Sequence, residues 1–547
     1  MLPVVLLLVA AQPDSLAALR SARDAQAVFE FHRATLAPRT EPRSGSCDEI
    51  IGRLCYWYDG DFAPPPREPD AIKRARHRLT DVLDSAAAVA PGDWWIAGQR
   101  VRYLVESDRL PEALAAATSC RAERWWCEAL QGFARHAAGD DAAADSVYGD
   151  ALRAMPDTLR CRWTDLTPLL EGELRRRFGR LDCAARAPLA GQLWWLAQPL
   201  LSRPGNDRRV EHFARLTMVR MLERAGSAWS LSPGDDLREV TLRYGWPVAW
   251  TSAQGSSLAT TRSISGYERQ PAFHFFPDLD AGTDPASSRW TLSPARPHER
   301  YAPVYARTFE TLTPDFMVFR HGDSTLVVVT YDLTDDTLWQ QAPLSQAVVL
   351  ARDESEPPLV VRSDSAGARG VVVADAPWPA AVASFEVTQA RSLHAGRARL
   401  AIAPRDPATV MASDLLLFDP GDSLPGSLAA ALPLMHGSRP VTWGTRIGLY
   451  WEVYGVAPGE AIETAVYVRA RSVGLLWRVG SLLGLGGRSR ETRLSWRDAA
   501  ATLDGTLRRA VIVDLTSLEP GRYRVSVEIG ARGKDVTTVR ELEIARP

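Results

Sequence analysis

Nine histidines are the natural place to look for chemistry: His32, His77, His136, His212, His274, His298, His321, His394 and His436. Their spacing serves it poorly. No H-E-x-x-H and no H-x-H occurs, so the local patterns that set two imidazoles on one face for zinc are missing. No G-x-S-x-G nucleophile turn occurs either. A Ser-His-Asp set can still assemble in space, because such sets draw on separate segments. "DLDAGTD" sets Asp278, Asp280 and Asp284 around Gly282. Calcium favours oxygen ligands spaced in this way, but the bidentate Glu of an EF-hand loop is missing, and the stretch reads as a solvated turn. "DLTDD", Asp332 to Asp336, similarly reads as a hairpin turn in preference to a metal site. "GLGG", Gly484 to Gly487, lacks the Lys-Ser/Thr of a phosphate loop. These patterns point to no catalytic, cofactor-binding or metal-ligating residue, and no cofactor is expected.

Two other stretches stand out. "RYGWPVAW" ends a segment, Leu237 to Leu242, that alternates like a strand. Gly245 suits a backbone position with positive φ. Pro247 fixes the exit and biases Trp246 to extended geometry. Trp229, Tyr244, Gly245, Trp246 and Pro247 therefore read as a structural turn wrapped in aromatics, with a ligand-facing aromatic site as the alternative. "SVGLLWRVGSLLGLGG", Ser472 to Gly487, interrupts a run of strands. Leu475, Leu476, Trp477, Leu482 and Leu483 mark it as a short helix packed on its own domain, or as a partner or membrane contact.

The six cysteines, Cys47, Cys55, Cys120, Cys127, Cys161 and Cys183, all lie in the first third. Six allow 15 pairings; the local scheme, Cys47–Cys55, Cys120–Cys127 and Cys161–Cys183, closes the shortest loops. No C-x-x-C occurs to suggest a metal site. The start, "MLPVVLLLVAA", has the apolar core and small residues of a signal peptide over residues 1–11, although no Arg or Lys precedes it. An even cysteine count beside such a start predicts an exported protein with disulfides, in the periplasm, the cell envelope or secreted.

The elements that carry these residues change character along the chain. Residues 15–225 read as helical, and "APPPREPD" introduces one helix. From there the period is 2. "STLVVVTYDL", "SQAVVLARD", "GVVVADAPW", "ASFEVTQA" and "RARLAIAP" form one set of strands. "RIGLYWEVYGV", "IETAVYVRAR", "ETRLSWRDA", "RRAVIVDLTSL" and "GRYRVSVEIGA" form a second, after a break at Pro433 to Thr442. Short strands with regular turns predict two β-sandwich domains, Ig-like, over 301–432 and 433–547. Residues 226–300 are a junction and a long connection, with a hairpin expected near "PAFHFFPD". The 547 residues exceed one core. A formal net charge of -2 gives no steering toward nucleic acid or anionic membrane. Only Lys73 and Lys534 are lysines, so nearly all cations are Arg, and the 18 Trp are spread along the chain as packing anchors.

Two resemblances follow. In "WWCEALQGFARHAAGDDAAADSVYGDALRAMP", Trp125 to Pro156, Gly132, Gly139–Asp140, Ala144, Tyr148, Ala151 and Pro156 fall at the spacing of a tetratricopeptide repeat. A degenerate neighbour precedes it and a further helical pair follows Thr167. Phe213, Arg215 and Met218 on a helix, Ala228–Trp229, then Arg238, Val240, Leu242, Arg243, Tyr244, Gly245 and Pro247 resemble the GWxTD domain of exported bacterial proteins. Ala228 stands where that family has Gly, Leu231–Ser232 where it has Thr-Asp, and Trp246 at a position usually held by Pro. "MASDLLLF", "GLYWEVYGV" and "LTSLEPGRYRVSVEI" are similar to its later strands. The resemblance implies architecture and export, and no activity.

The expectation is an exported, non-enzymatic interaction or envelope-assembly module: α then β, with tetratricopeptide-like hairpins followed by two β-sandwiches, and other envelope proteins as partners. The alternative is a hydrolase of envelope polymers with a site in residues 251–300 or between domains. A buried pair of perturbed carboxylates or a His-centred cluster would favour it.

Overall fold

Near residue 250 the chain turns from helix to strand, a little later than its hydrophobic period suggests. The computed structural model describes residues 13–41, 47–58, 65–254, 262–278, 281, 290–340, 343–404, 409–471, 491–499 and 505–546. The signal-like start and the Ser472 to Gly487 stretch, with Leu475, Leu476, Trp477, Leu482 and Leu483, lie outside them. So do Asp280, Gly282 and Asp284 of "DLDAGTD"; Asp278 is exposed. The chain divides into two compact units, Met1–Leu279 with Ser288–Phe309, and Asp280–Ser287 with Glu310–Pro547.

The first unit is helical: α1 (Pro13–Leu36), α2 (Asp70–Val89), α3 (Trp94–Glu106), α4 (Leu110–Thr118), α5 (Arg124–Ala137), α6 (Asp141–Ala154), α7 (Asp157–Trp163), α8 (Gly172–Arg180), α9 (Cys183–Ala197), α10 (Asp207–Leu222) and α11 (Asp235–Tyr244). Short polar side chains start several of them. Asp93, Asp140, Asp182 and Asn206 each accept a bond from a first-turn N–H, which satisfies donors the helix cannot. The α5–α6 pair turns at Gly139, φ +77°. Phe133, Ala144, Tyr148 and Ala151 are buried between the helices in one apolar cluster with α10. All six cysteines are paired, Cys47–Cys55, Cys120–Cys127 and Cys161–Cys183, with Cα atoms 5.5, 5.5 and 5.6 Å apart. Cys120–Cys127 ties the end of α4 to α5.

Three local expectations differ from the structure. A hairpin, β1 (Glu49–Ile51) and β2 (Leu54–Tyr56), interrupts the helical region and is closed by Cys47–Cys55. Leu237 to Leu242 is not a strand but the body of α11. Leu237, Val240, Thr241 and Tyr244 are its buried face at i, i+3, i+4 and i+7. Asp235 and Asp236 favour its N-terminus, and Gly245, φ +99°, ends it with an N–H bond to Thr241 O. A short apolar segment supports either period, and only its ends decide. The third difference is the hairpin of the connection. It is β3 (Ala249–Gln254) with β4 (Arg262–Tyr267), whereas "PAFHFFPD" makes only a bridge, Phe273 to Tyr301.

The second unit is a set of sheets. Its strands are β5 (Thr308–Thr311), β6 (Asp315–His321), β7 (Ser324–Asp332), β8 (Leu344–Ala351), β9 (Leu359–Ala366), β10 (Arg369–Ala376), β11 (Val382–Gln389), β12 (His394–Ala401), β13 (Met411–Ala412), β14 (Leu416–Phe418), β15 (Val441–Thr442), β16 (Arg446–Tyr454), β17 (Ala461–Ala470), β18 (Glu491–Ala499), β19 (Thr506–Asp514), β20 (Gly521–Ala531) and β21 (Lys534–Ala545). Sheets ordered β10-β7-β6 and β5-β12-β11-β8-β9 share one core. Sheets ordered β13-β16-β14, with β19 on β16, and β15-β21-β20-β17-β18 share another. A third apolar cluster joins Met317, Phe319, Leu326 and Val328 to Leu416, Phe418 and Tyr450. This is why β7 reads as an unbroken apolar run: Val327 and Val329 face one cluster while Leu326 and Val328 face the next. β13 and β14 pair with β16, so the expected division after residue 432 falls behind two strands of the later sheets.

A Cβ on Gly132 would sit 2.8 Å from the Tyr148 ring, whose hydroxyl is fixed to Thr217 Oγ1. Gly149 on α6 has only the end of Arg153 nearby, at 3.5 Å. Gly132→Ala is therefore expected to destabilise by about 1–3 kcal/mol. Gly149→Ala is expected to be neutral or to stabilise by up to about 1 kcal/mol. Urea midpoints of the two variants check this.

Candidate functional site

Helix α10 carries the densest chemistry. Its sequence "DRRVEHFARLTMVRML" places Asp207, Arg208, Glu211, His212 and Arg215 on a helix that is buried nearly all round. Each buried charge then needs a partner, and the partners come from distant segments. Glu211 Oε2 lies 2.7 Å from His136 Nε2 on α5, and His136 Nδ1 lies 2.8 Å from Asp141 Oδ1 on α6. Glu211 Oε1 accepts from Arg215 Nε at 2.6 Å. Arg215 then donates to the carbonyls of Leu242 and Arg243, each at 2.9 Å, and to Arg300 O at 2.6 Å. One turn back, Arg208 pairs with Glu299, and both are fully buried. Glu299 also lies 2.9 Å from His274 Nδ1.

Burial and pairing pull these groups apart in pKa. Burial opposes charge on His136, but the bonds to Asp141 and Glu211 outweigh it and hold the imidazole at about 9. Burial also opposes charge on Glu211 and Glu299. Arg215 and His136 in the one case, and Arg208 and His274 in the other, hold them well below the carboxylate range. Asp207 goes the other way: burial and then the Asp141 charge push it up to about 6, against a hydrogen bond from Tyr305. Burial and then Arg208 and Arg215 push His212 down to about 3.

The residues of the aromatic turn divide between two places. Tyr244 stacks on Tyr56 of the disulfide hairpin, ring centroids 3.6 Å apart. Arg243 beside it holds Glu49 of β1 at 2.8 and 2.9 Å, and Arg53 grips Asp236 at the start of α11. Trp246 leans on Phe133 of α5. Trp229 and Trp250 meet edge to face at 4.7 Å. With Trp246, Pro247, Glu30, Arg102 and Glu106 these two line a cavity of about 20 Å³. That is room for about one water and too little for an organic ligand. Gly266 is pressed into the same corner, where a Cβ would meet Pro247 at 2.5 Å and Trp229 at 2.8 Å. The turn's side chains are packed against the disulfide hairpin, α5 and one another.

The second unit holds two clusters. On β16 the face opposite its core carries Tyr450, Glu452 and Tyr454. Glu452, fully buried, accepts from both tyrosine hydroxyls at 2.7 and 3.0 Å, and lies 3.2 Å from His321 Nε2 and 3.6 Å from Arg508 Nε. Tyr454 in turn accepts the Arg320 N–H, which pins β6 to β16. The other cluster is Glu310, Asp336 and His394, whose donor atoms all lie within 4.8 Å of one another. Of these residues sequence patterns had isolated only Asp336, in the "DLTDD" turn. His136, Glu211 and Glu452 carry no motif. Their one local signal is the Glu211–Arg215 pair at i, i+4.

No protein-family model matches the chain, and no curated protein sequence matches it. Among solved structures it is similar to red sea bream transglutaminase, at 9% identity over 65% of this chain and 45% of that one, TM-score 0.15. It is also similar to Salmonella alpha-2-macroglobulin reacted with methylamine, at 8% identity over 53% and 28%, TM-score 0.20. A third is native E. coli alpha-2-macroglobulin, at 8% identity over 53% and 26%, TM-score 0.21. The chain spans less than half the length of each, and likeness at these scores carries no argument.

Because His136 sits near 9 when folded and near 6.5 when free, its contribution is complete below pH 6.5 and lost as pH rises through 9. The difference is worth at most about 3 kcal/mol. Asp207, also raised, adds to the loss between about pH 4 and 6. The lowered Glu211 and Glu299 act oppositely, losing their contribution as pH falls below about 4.5. Thermal midpoints from pH 6 to 10 are expected to fall, and His136→Gln is expected to lower the midpoint at pH 6 and flatten that slope. At the turn, Gly266→Ala is expected to cost about 1–3 kcal/mol by denaturant titration.

Proposed function

We propose that the protein is an exported, non-enzymatic protein-interaction or envelope-assembly module. In this reading tetratricopeptide-like hairpins form the helical part, α10 and α11 form a divergent GWxTD-type junction, and the later sheets form two immunoglobulin-like sandwiches. Three disulfides support export, since such bonds persist in oxidising compartments, as does the signal-like start. Among the described residues no helix is long and apolar enough to cross a membrane. The net charge of -2 gives no steering toward nucleic acid.

One observation carries the reading: the perturbed His136 and Glu211, with Asp141, are consumed internally. A His-centred cluster would favour a hydrolase of envelope polymers, and His136 with Asp141 and Glu211 is such a cluster in form. Yet His136 is 3% exposed and both its ring nitrogens are bonded. A general base must reach the proton it removes, and this one is spent on holding α5, α6 and α10 together. Helical hairpins instead offer surfaces to other chains; on α1, Val28 and Phe31 stand 54% and 66% exposed.

The test is cross-linking capture of the chain in its native envelope. Wild type is compared with Val28→Asp/Phe31→Asp and with Ser472 to Gly487 replaced by Gly/Ser. A recurrent envelope protein captured by wild type and lost in either variant is the expected result. Capture of nothing recurrent, or turnover of an envelope polymer by the purified chain, would overturn the proposal.

A further inference from the structure

Glu310, Asp336 and His394 come from three separate segments: β5, the turn after β7 and the start of β12. Each offers one donor atom within 4.8 Å of the other two. Two are carboxylates, and the third is an imidazole only 1% exposed. Among the described residues neither carboxylate has an arginine partner, whereas the buried Glu30, Glu211 and Glu299 each have one. The cluster brings two negative charges to one imidazole without the cation used elsewhere.

The geometry suits a metal ion in three respects. First, His394 Nε2 lies 3.2 Å from Glu310 Oε1. This is a hydrogen-bond distance. It is also close to the ~3.3 Å edge between two donors each ~2.0–2.1 Å from a shared tetrahedral ion. Second, the ligands are held from behind. The Trp339 indole N–H bonds Glu310 Oε1, and its ring, also 1% exposed, packs edge-on against His394 with centroids 4.0 Å apart. Outer partners of this kind orient ligating groups. Third, Asp336 is fixed through one oxygen only: Oδ1 accepts the Leu338 N–H at 2.8 Å, and Oδ2 remains to act as a ligand. Among the described residues His394 Nδ1 is buried with no hydrogen-bond partner, so Glu310 and the Trp339 ring alone orient the imidazole.

One imidazole nitrogen and two carboxylate oxygens are a donor set for a borderline divalent ion. We propose that Glu310, Asp336 and His394 bind one Zn²⁺-type divalent ion, with water completing its shell, and that the ion clips β5 to β12 and to the β7–β8 turn. β5 is the edge strand of its sheet, with one neighbour to hold it. A clip there crosses 84 residues of chain between Glu310 and His394. The role is structural and is independent of the interaction reading.

The full chain, stripped with chelator and exchanged into metal-free buffer at neutral pH, is titrated with Zn²⁺, and with Co²⁺ as an optical probe. Expected are one Zn²⁺ per chain, a higher thermal midpoint on binding, and a visible Co²⁺ band that Zn²⁺ displaces. Asp336→Asn, which keeps the Leu338 contact on an exposed turn, is expected to weaken Zn²⁺ at least tenfold, and His394→Gln to abolish the Co²⁺ band. Binding in Asp336→Asn equal to wild type would overturn the proposal, as would weak multisite uptake with no change in midpoint. Asp336→Asn carries the test even if His394→Gln fails to fold.

Discussion

A single buried guanidinium organises the helical unit. Helix α11 ends at Gly245 with carbonyls that no further helical turn can satisfy, and burial keeps water from them. Arg215 supplies the missing donors from α10, reaching Leu242 O and Arg243 O together. Its own charge is balanced by Glu211, Glu211 by His136, and His136 by Asp141. The chain of bonds thus runs from the end of α11 through α10 to α5 and α6. Removing one member would leave a neighbour charged and unpaired in the interior, which commonly costs several kcal/mol. The whole set is therefore coupled.

The same logic recurs in the second unit with different parts. Glu452 is fully buried and would be costly alone. Tyr450, Tyr454, His321 and Arg508 surround it. Tyr454 also takes the Arg320 N–H, and Asp414 takes the Val318 N–H at 2.8 Å. Polar pins of this sort add direction to the apolar cluster between β6–β7 and β14–β16, which alone would permit sliding. The two sets of sheets behave as one compact unit because they share this seam.

This distribution of charge bears on function. Perturbed ionisable groups cluster at active sites, but structural networks perturb them too, and access is what separates the cases. The α10 network faces inward, and in the second unit Glu452 itself is fully buried, with the exposed His321 at its edge. Glu310 and Asp336 are half-buried, retain carboxylate oxygens with no partner among the described residues, and lie at the edge strand β5 and the turn after β7. An assembly module with a metal-clipped edge is consistent with both sets of observations.

Much of the local structure was legible in the chain. The α5–α6 hairpin follows from Gly132, Gly139, Tyr148 and Pro156, because small residues and a helix stop act over one or two turns. Ten strands are readable within single segments, from alternation or, as in β7, from a short unbroken apolar run. The cysteines pair within local loops, the scheme that favoured short closures. Leu237 to Leu242 was not legible, since it satisfies both periods and its flanking Gly234 and Gly245 had to be weighed with it. Short strands such as β13 and β14, two and three residues long, are too brief for any period to register. The site chemistry depended on tertiary structure almost entirely. His136 and Glu211 stand 75 residues apart, Arg208 and Glu299 91, and Glu310 and His394 84. Local sequence determines which residues can form a helix or a strand; it does not say which buried charge will meet which, because that pairing exists only after the elements have packed and water has been driven from between them.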